Sequence, residues 1–195
     1  MREEQILFIY QLRDRYDVDP SHSEQVKKLS IKLFNHLEPV HNLGDSSKDF
    51  LIAAALLHDI GYATGNNKNH HLYTASIILK NGITGFTRKE ISIIAYVACL
   101  HKRNVPPDFC IEFKSLSAED KLLVLRLASI LRIANGLDKT HRSSIRDLTC
   151  DIKTTTITVY LRSDFSIDEE LILAYKNSEL FCYLFKREIE FLPVR

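Results

Sequence analysis

The sequence lacks the marks of several protein classes. Its four cysteines, Cys99, Cys110, Cys150 and Cys182, lie far apart with no CxxC pair. That excludes a zinc-finger framework and gives no hint of a disulfide scaffold; buried, reduced thiols in a cytoplasmic protein are the expectation. Charge of one sign is also missing. Formal net charge is +1 over 195 residues, so a protein built to coat nucleic acid is not expected, although a local basic patch can still hold phosphate. No apolar run approaches the ~18 unbroken residues of a membrane span. The start, Met1-Arg2-Glu3-Glu4, carries acids where a signal peptide would be apolar. There is no repeat and no low-complexity linker. The 45% of hydrophobic residues is enough for a sizeable core, and the length suits one domain with a small appendage.

Helical signals dominate the first 142 residues. Residues 3–16 read as an amphipathic helix, and Asp19-Pro20 opens a second, with Asp19 or Ser21 as cap and Val26, Leu29, Leu33 and Leu37 as its stripe. A third starts near Ser46 or Ser47 and runs through Ala53–Leu57 to Gly61; it is apolar almost all round and so should be central. Helices follow at 70–81, at Thr87 to about Lys102 behind a Thr87/Glu90 capping box, and at Ser117 to about Asp138. After Arg142 the period changes to two. Leu148, Cys150 and Ile152, then Ile157, Val159 and Leu161, predict a β-hairpin, followed by a helix over 169–187 and a strand over 189–193. The expected fold is mainly α: a helical bundle over 1–142 and an α+β (ββαβ) tail over 143–195, packed on it as one structural unit. Tyr175, Phe181, Tyr183 and Phe185 are expected in the tail's core.

Histidines and carboxylates recur on the inward stripes. His22 shares its face with Val26, Leu29 and Leu33. His58 and Asp59 close the most apolar helix. His71 leads Ala75 and Ile78, His101 follows Ile94, Val97 and Ala98, and Asn135 and Asp138 extend the Val124, Ala128, Leu131 stripe. One inward histidine at a helix end is ordinarily a core or cap residue. Four on separate helices, with an adjacent His-Asp, are harder to reach by accident. Mixed nitrogen and oxygen donors suit Mn, Fe, Ni, Co or Zn and, less cleanly, Mg. The His58-Asp59 pair sits where the helix dipole favours a cation. Such a metal brings the pKa of a water toward ~7 and makes a nucleophile for phosphorus. Lys102, Arg103, Arg132, Lys139 and Arg142 gather near the same helix ends and could take phosphate oxygens. His36 and His41 match no stripe and are expected at the surface.

His22, the run Leu56-Leu57-His58-Asp59-Ile60-Gly61 and a late inward polar residue resemble the HD superfamily of metal-dependent phosphohydrolases. A sharper resemblance, to the C-terminal region of the exopolyphosphatase and guanosine pentaphosphate phosphohydrolase family, rests on Ile83-Thr84-Gly85-Phe86-Thr87-Arg88-Lys89-Glu90, His101-Lys102-Arg103 and Leu131-Arg132-Ile133-Ala134-Asn135-Gly136-Leu137-Asp138. It covers nearly the whole chain. It implies an HD-type bundle in which His22, His58, Asp59 and either Asn135 or Asp138 hold a metal, with His58 and Asp59 at the catalytic centre. It further implies that His71, with His70 as the alternative, joins His101 at a second metal or a phosphate. Three departures stand against a full carry-over. The larger members' actin-like region with its Gly-rich phosphate loops has no counterpart in this sequence. The family's Ala-Asp pair is Ala134-Asn135 here. Tyr73 stands where a His is frequent. The expectation is a metal-dependent phosphohydrolase acting on a nucleotide or another phosphorylated small molecule. The alternative is a non-catalytic module that binds polyphosphate or a nucleotide. No membrane partner is expected; a homodimer is compatible with either reading.

Overall fold

The computed structural model describes residues 1–103 and 111–194. Cys110, one of the thiols expected to be buried, lies outside the described residues. Of the others Cys99 is buried, whereas Cys150 and Cys182 are only half-buried.

The chain begins with α1 (Glu3–Tyr16), α2 (Pro20–His36) and a short α3 (Glu38–His41), followed by α4 (Asp45–Leu57) and a 3-10 turn over Ile60–Thr64. Then come α5 (His70–Asn81), α6 (Arg88–Cys99), α7 (Ile111–Ser115) and α8 (Ala118–Gly136). Local chemistry sets the starts. Asp19 accepts from the His22 amide at 3.2 Å with Pro20 at the first helical position, Thr87 and Glu90 form a capping box, and Ser117 accepts from the Asp120 amide. α4 is the central helix. Ala53, Ala54 and Ala55 are fully buried, and their small side chains let α2, α6 and α8 pack around it.

Two helix ends fall short of expectation: α6 stops at Cys99 and not at about Lys102, and α4 also ends early. α4 stops at Leu57 instead of reaching Gly61, because α5 takes over the backbone groups there. The Thr74 hydroxyl donates to the His58 carbonyl at 2.9 Å, and the Gly61 amide donates to Thr74 Oγ1 at 3.0 Å. Only glycine fits this crossing: a Cβ on Gly61 would lie 1.9 Å from the His70 carbonyl oxygen.

The tail contributes β1 (Ile145–Ile152), β2 (Thr156–Ser163), α9 (Asp168–Phe185) and β3 (Glu188–Val194). The sheet order is β1-β2-β3, with β1 and β2 antiparallel and β3 parallel to β2, so that α9 is the crossover. Leu148, Ile157, Val159, Leu161, Ile189 and Phe191 form its buried face. α9 packs on α8, closest at Gly136, where an added Cβ would come within 2.9 Å of the Ala174 amide. The tail aromatics are not all core. Phe181 is buried and Phe185 partly so, but Tyr175 and Tyr183 are 45% and 70% exposed because neither lies on the buried strip of α9 formed by Ala174, Asn177, Ser178 and Phe181; Tyr175 instead sits edge-on against Phe191 of β3. The molecule is thus mainly α with a small α+β appendage.

Candidate metal centre

Four imidazoles converge on Asp59 from four elements. His58 ends α4, His101 follows α6, His70 opens α5 and His22 lies in the first turn of α2. In three of them Nδ1 donates to a carbonyl three residues back: His58 to Ala55 at 2.8 Å, His101 to Ala98 at 2.6 Å, His70 to Asn67 at 2.8 Å. A carbonyl can only accept, so the proton sits on Nδ1 and Nε2 keeps its lone pair. In His22 a carboxylate does the same work, since Nδ1 donates to Asp138 Oδ2 at 2.8 Å. All four Nε2 atoms therefore face inward. Asp59 Oδ2 lies 3.3 Å from that of His58 and 3.9 Å from that of His22, and Oδ1 lies 3.5 Å from that of His70 and 3.4 Å from that of His101.

These atoms form two sets able to hold a cation, His22-His58-Asp59 and Asp59-His70-His101, each with its donor atoms within 4.8 Å of one another. The donor set fits a divalent ion on two further grounds. His58 Nε2 and Asp59 Oδ1 are buried without a hydrogen-bond partner, a costly state unless something positive is shared between them. The Nε2 atoms of His70 and His101 are 3.1 Å apart, which sets two lone pairs against each other unless a cation lies between.

Electrostatics agree. Burial would raise the Asp59 carboxyl, but the charge of His58, then those of His101 and His70, hold it far below the usual carboxylate range. Burial opposes protonation of His58, yet Asp59 raises its pKa on balance. His101 and His70 are lowered, first by burial, against the pull of Asp59.

The structure sorts the residues expected at this site. His70, the alternative, faces Asp59. His71 does not: it is the next residue on α5 and so points about 100° away. Its ring meets His70 edge-on at 5.6 Å, and burial, then His70 and Lys102, lower its pKa to about 4. Asn135 and Asp138 take different sides of His22. Asn135 Oδ1 is 3.2 Å from Nε2, the atom turned toward Asp59, whereas Asp138 holds the opposite nitrogen.

Lys102, Arg103 and Lys139 line a cleft of about 280 Å³ together with Asp59, His70 and His101. Arg132 does not point into it. Its Nε and Nη2 donate to the Leu100 and Lys102 carbonyls at 2.6 and 3.0 Å, capping the end of α6, and burial followed by Arg103 lowers it to about 10. Arg142 lines a separate cleft beside Phe165 and Glu169. His41, expected at the surface, is 2% exposed; its Nε2 donates to the Phe34 carbonyl and its Nδ1 accepts from the Leu43 amide, which fixes the corner after α2. His36 is half-buried.

Two cleft residues carried no signal in the sequence. His141 stacks on His22 at 3.8 Å and donates from Nδ1 to Asp19 Oδ2 at 2.8 Å. Although burial alone would raise it, Asp19 is held at about 2, chiefly by that bond. Tyr62 stacks on His70 at 3.9 Å. Neither residue lies on a periodic stripe, so only the packed loops bring them in.

Comparison with known proteins now adds to the geometry. Residues 5–179 match the family described as Ppx/GppA phosphatase, domain III, a span that contains every donor above. Among curated proteins, the chain is similar to the guanosine-5'-triphosphate,3'-diphosphate pyrophosphatase of Aeromonas hydrophila subsp. hydrophila, at 32% identity over 127 residues covering 63% of this chain and 24% of that protein. Proteins of the same name from Aeromonas salmonicida and Pseudoalteromonas translucida are 31% and 30% identical, over 61% and 62% of this chain and 23% and 24% of theirs. The chain thus spans about a quarter of the length of the curated relatives it matches.

Proposed function

This chain belongs to the Ppx/GppA phosphatase domain III family, and from that premise we propose that it is a metal-dependent phosphohydrolase of the HD type. The observation that carries the proposal is the Asp59 carboxylate, shared by two donor sets whose histidines all have Nε2 free to bind. His22, His58, Asp59 and Asn135 would hold one ion, and Asp59, His70 and His101 a second. The mixed donors suit Mn, Fe, Ni, Co or Zn. A bound divalent cation would polarise a phosphoryl oxygen and supply a water nucleophile near neutral pH.

The chain's own residues do the rest. Asp138 keeps His22 in the tautomer with a bare Nε2. Carbonyls 55, 67 and 98 do the same for His58, His70 and His101. Asp59, central and ionised, orients the attacking water. Lys102, Arg103 and Lys139 hold the phosphate oxygens, and Tyr62 and His141 wall the cleft. The substrate is a nucleotide or other phosphorylated small molecule, in keeping with the relatives' name. The bundle and the tail act as one structural unit, since Asn177 and Leu173 of α9 line the same cleft. Among the described residues no helix is long and apolar enough to cross a membrane.

A second reading rests on Asn135. A neutral amide at a ligand position is a weaker donor than a carboxylate, and a site so weakened could bind polyphosphate or a nucleotide without turning it over. The test is elemental analysis of protein purified without chelators, with a panel of phosphorylated substrates. We expect bound transition metal, most of it lost in His58→Ala. Metal binding with no turnover selects the binding module. No metal, even after loading with Mn, Ni or Zn, sinks the HD reading.

A further inference from the structure

Arg142, expected to hold phosphate, lines instead a cleft of about 470 Å³ with Thr140, Phe165, Asp168, Glu169 and Glu170. This cleft and the metal cleft share two walls. One is the turn after α8, whose residues alternate: Lys139 and His141 border the metal cleft, Thr140 and Arg142 the other. The second wall is α9, where Leu173 and Asn177 border the metal cleft and Glu169 and Glu170 the other. Glu170, 2% exposed, fastens the walls together by accepting from the Thr140 amide at 3.2 Å and from the Thr140 hydroxyl.

The two clefts are opposite in charge. Lys102, Arg103 and Lys139 make the metal cleft basic around its donors. Three carboxylates against one guanidinium make the second cleft acidic, so a phosphate is directed to the first. The second suits a flat, uncharged group. Phe165 is 69% exposed, yet its loop is fixed: Ser163 Oγ accepts from the Phe165 amide at 3.2 Å and donates to the Ser144 carbonyl at 2.8 Å. An aromatic ring and a guanidinium plane are surfaces on which nucleobases stack. Neither the Arg142 nor the Glu169 side chain has a partner among the described residues. A carboxylate can only accept, so a base edge that meets Glu169 has to donate. Asn177 and Glu169 are about 12 Å apart along the helix, a span that a sugar between base and phosphate can bridge.

We infer that the Phe165 cleft is a nucleobase subsite, selective for bases with an exocyclic amine, in a ligand whose phosphate enters the metal cleft. The phosphate end rests on the phosphohydrolase reading; the base end does not. Phe165 and Arg142 supply the stacking surfaces, and Glu169 accepts from the amine. Cytosine presents such an amine where uracil presents a carbonyl oxygen, so the two bases differ at the group that Glu169 reads. A bare polyphosphate chain has nothing to place in the acidic cleft.

The test is isothermal titration of the intact chain, in buffer containing Mn, with non-hydrolysable phosphonate analogues of CMP and UMP and with tripolyphosphate. The CMP analogue should bind roughly tenfold tighter than the UMP analogue, the worth of one hydrogen bond to a charged acceptor. Phe165→Ala should weaken both analogues by about fivefold or more and leave tripolyphosphate unchanged. Glu169→Gln should erase the preference for cytosine, because an amide can also donate to the uracil carbonyl. Phe165 and Glu169 are exposed, and a melting curve checks that each variant is folded. Equal affinity for the two analogues overturns the proposal. So does a folded Phe165→Ala protein that binds them as wild type does, or a Glu169→Gln protein that keeps the preference. The metal-site reading fails separately: His58→Ala should weaken the analogues and tripolyphosphate alike. If it weakens neither while Phe165→Ala still weakens the analogues, that reading is lost and the base subsite stands.

Discussion

Asp138→Asn offers the sharpest probe of how the candidate site is built. Both oxygens of Asp138 are committed: Oδ2 accepts from His22 Nδ1 and Oδ1 from the Ser143 amide, each at 2.8 Å, in a side chain 1% exposed. In the variant the amide oxygen has to stay toward the Ser143 amide, because the flipped arrangement sets two donors against each other. The NH₂ group then points at His22 Nδ1, which has to become an acceptor. The imidazole proton moves to Nε2 and the lone pair facing Asn135 and Asp59 is lost. Loss of such a partner to a metal-bound histidine lowers affinity by roughly 10–100-fold, or about 1.4–2.7 kcal/mol. Asparagine is preferred to alanine because it keeps the Ser143 bond and fills the space. Isothermal titration of Mn or Zn into both proteins, with a melting curve for each, measures the change. Asn135→Asp should move affinity the other way by adding a carboxylate on the Nε2 side. A folded Asp138→Asn protein with wild-type affinity would refute the reasoning. Complete loss in Asp138→Asn with no gain in Asn135→Asp would make Asp138 the ligand instead.

Two further outcomes follow from the packing. Gly61→Ala drives a Cβ against backbone, 1.9 Å from the His70 oxygen and 2.6 Å from the Thr74 nitrogen; overpacking costs ~1–3 kcal/mol, so calorimetry should find melting lowered by roughly 2–12 °C. An unchanged melting temperature means the α5 crossing is drawn wrongly. His41 is lowered below its ordinary pKa, first by burial, against the Phe34 hydrogen bond and Glu38. The unfolded chain therefore binds this proton first, and the contribution is whole above about pH 6.5 and lost as pH falls below it. Urea midpoints measured on either side of that value should drop less in His41→Gln than in wild type, and parallel pH dependence in the two proteins would contradict the assignment.

Much of the site was legible along the chain. His58 and Asp59 stand out because α4 is apolar on every side, so polar groups at its end must face inward and need a reason. His22 declares itself through the Val26–Leu33 stripe, and the caps at Asp19, Thr87 and Ser117 through contacts spanning three residues. The same rules stop short at His70 and His71. Both open α5, and which one faces Asp59 depends on the rotation of that helix, which the Thr74–Gly61 contact sets. Arg132 and Arg142 show a similar limit: proximity in sequence to the last helix end says nothing about whether a guanidinium reaches the cleft, caps a carbonyl or turns into another groove.

What the sequence by itself determined is what local periodicity and local hydrogen bonding control: the longer helices and most of their starts, though not the short α3 and α7, the hairpin, the central place of α4 and the inward faces bearing His22, His58, Asp59 and His101. Only the tertiary structure decided the parallel pairing of β3, the entry of His70, His141 and Tyr62 into the cleft, and the division of labour between Asn135 and Asp138. Those depend on how separate elements meet. His22 and Asp138 are 116 positions apart, and no repeat of two or 3.6 residues carries information that far; it is the close packing of α2, α4 and α8 that brings their nitrogen and oxygen to 2.8 Å.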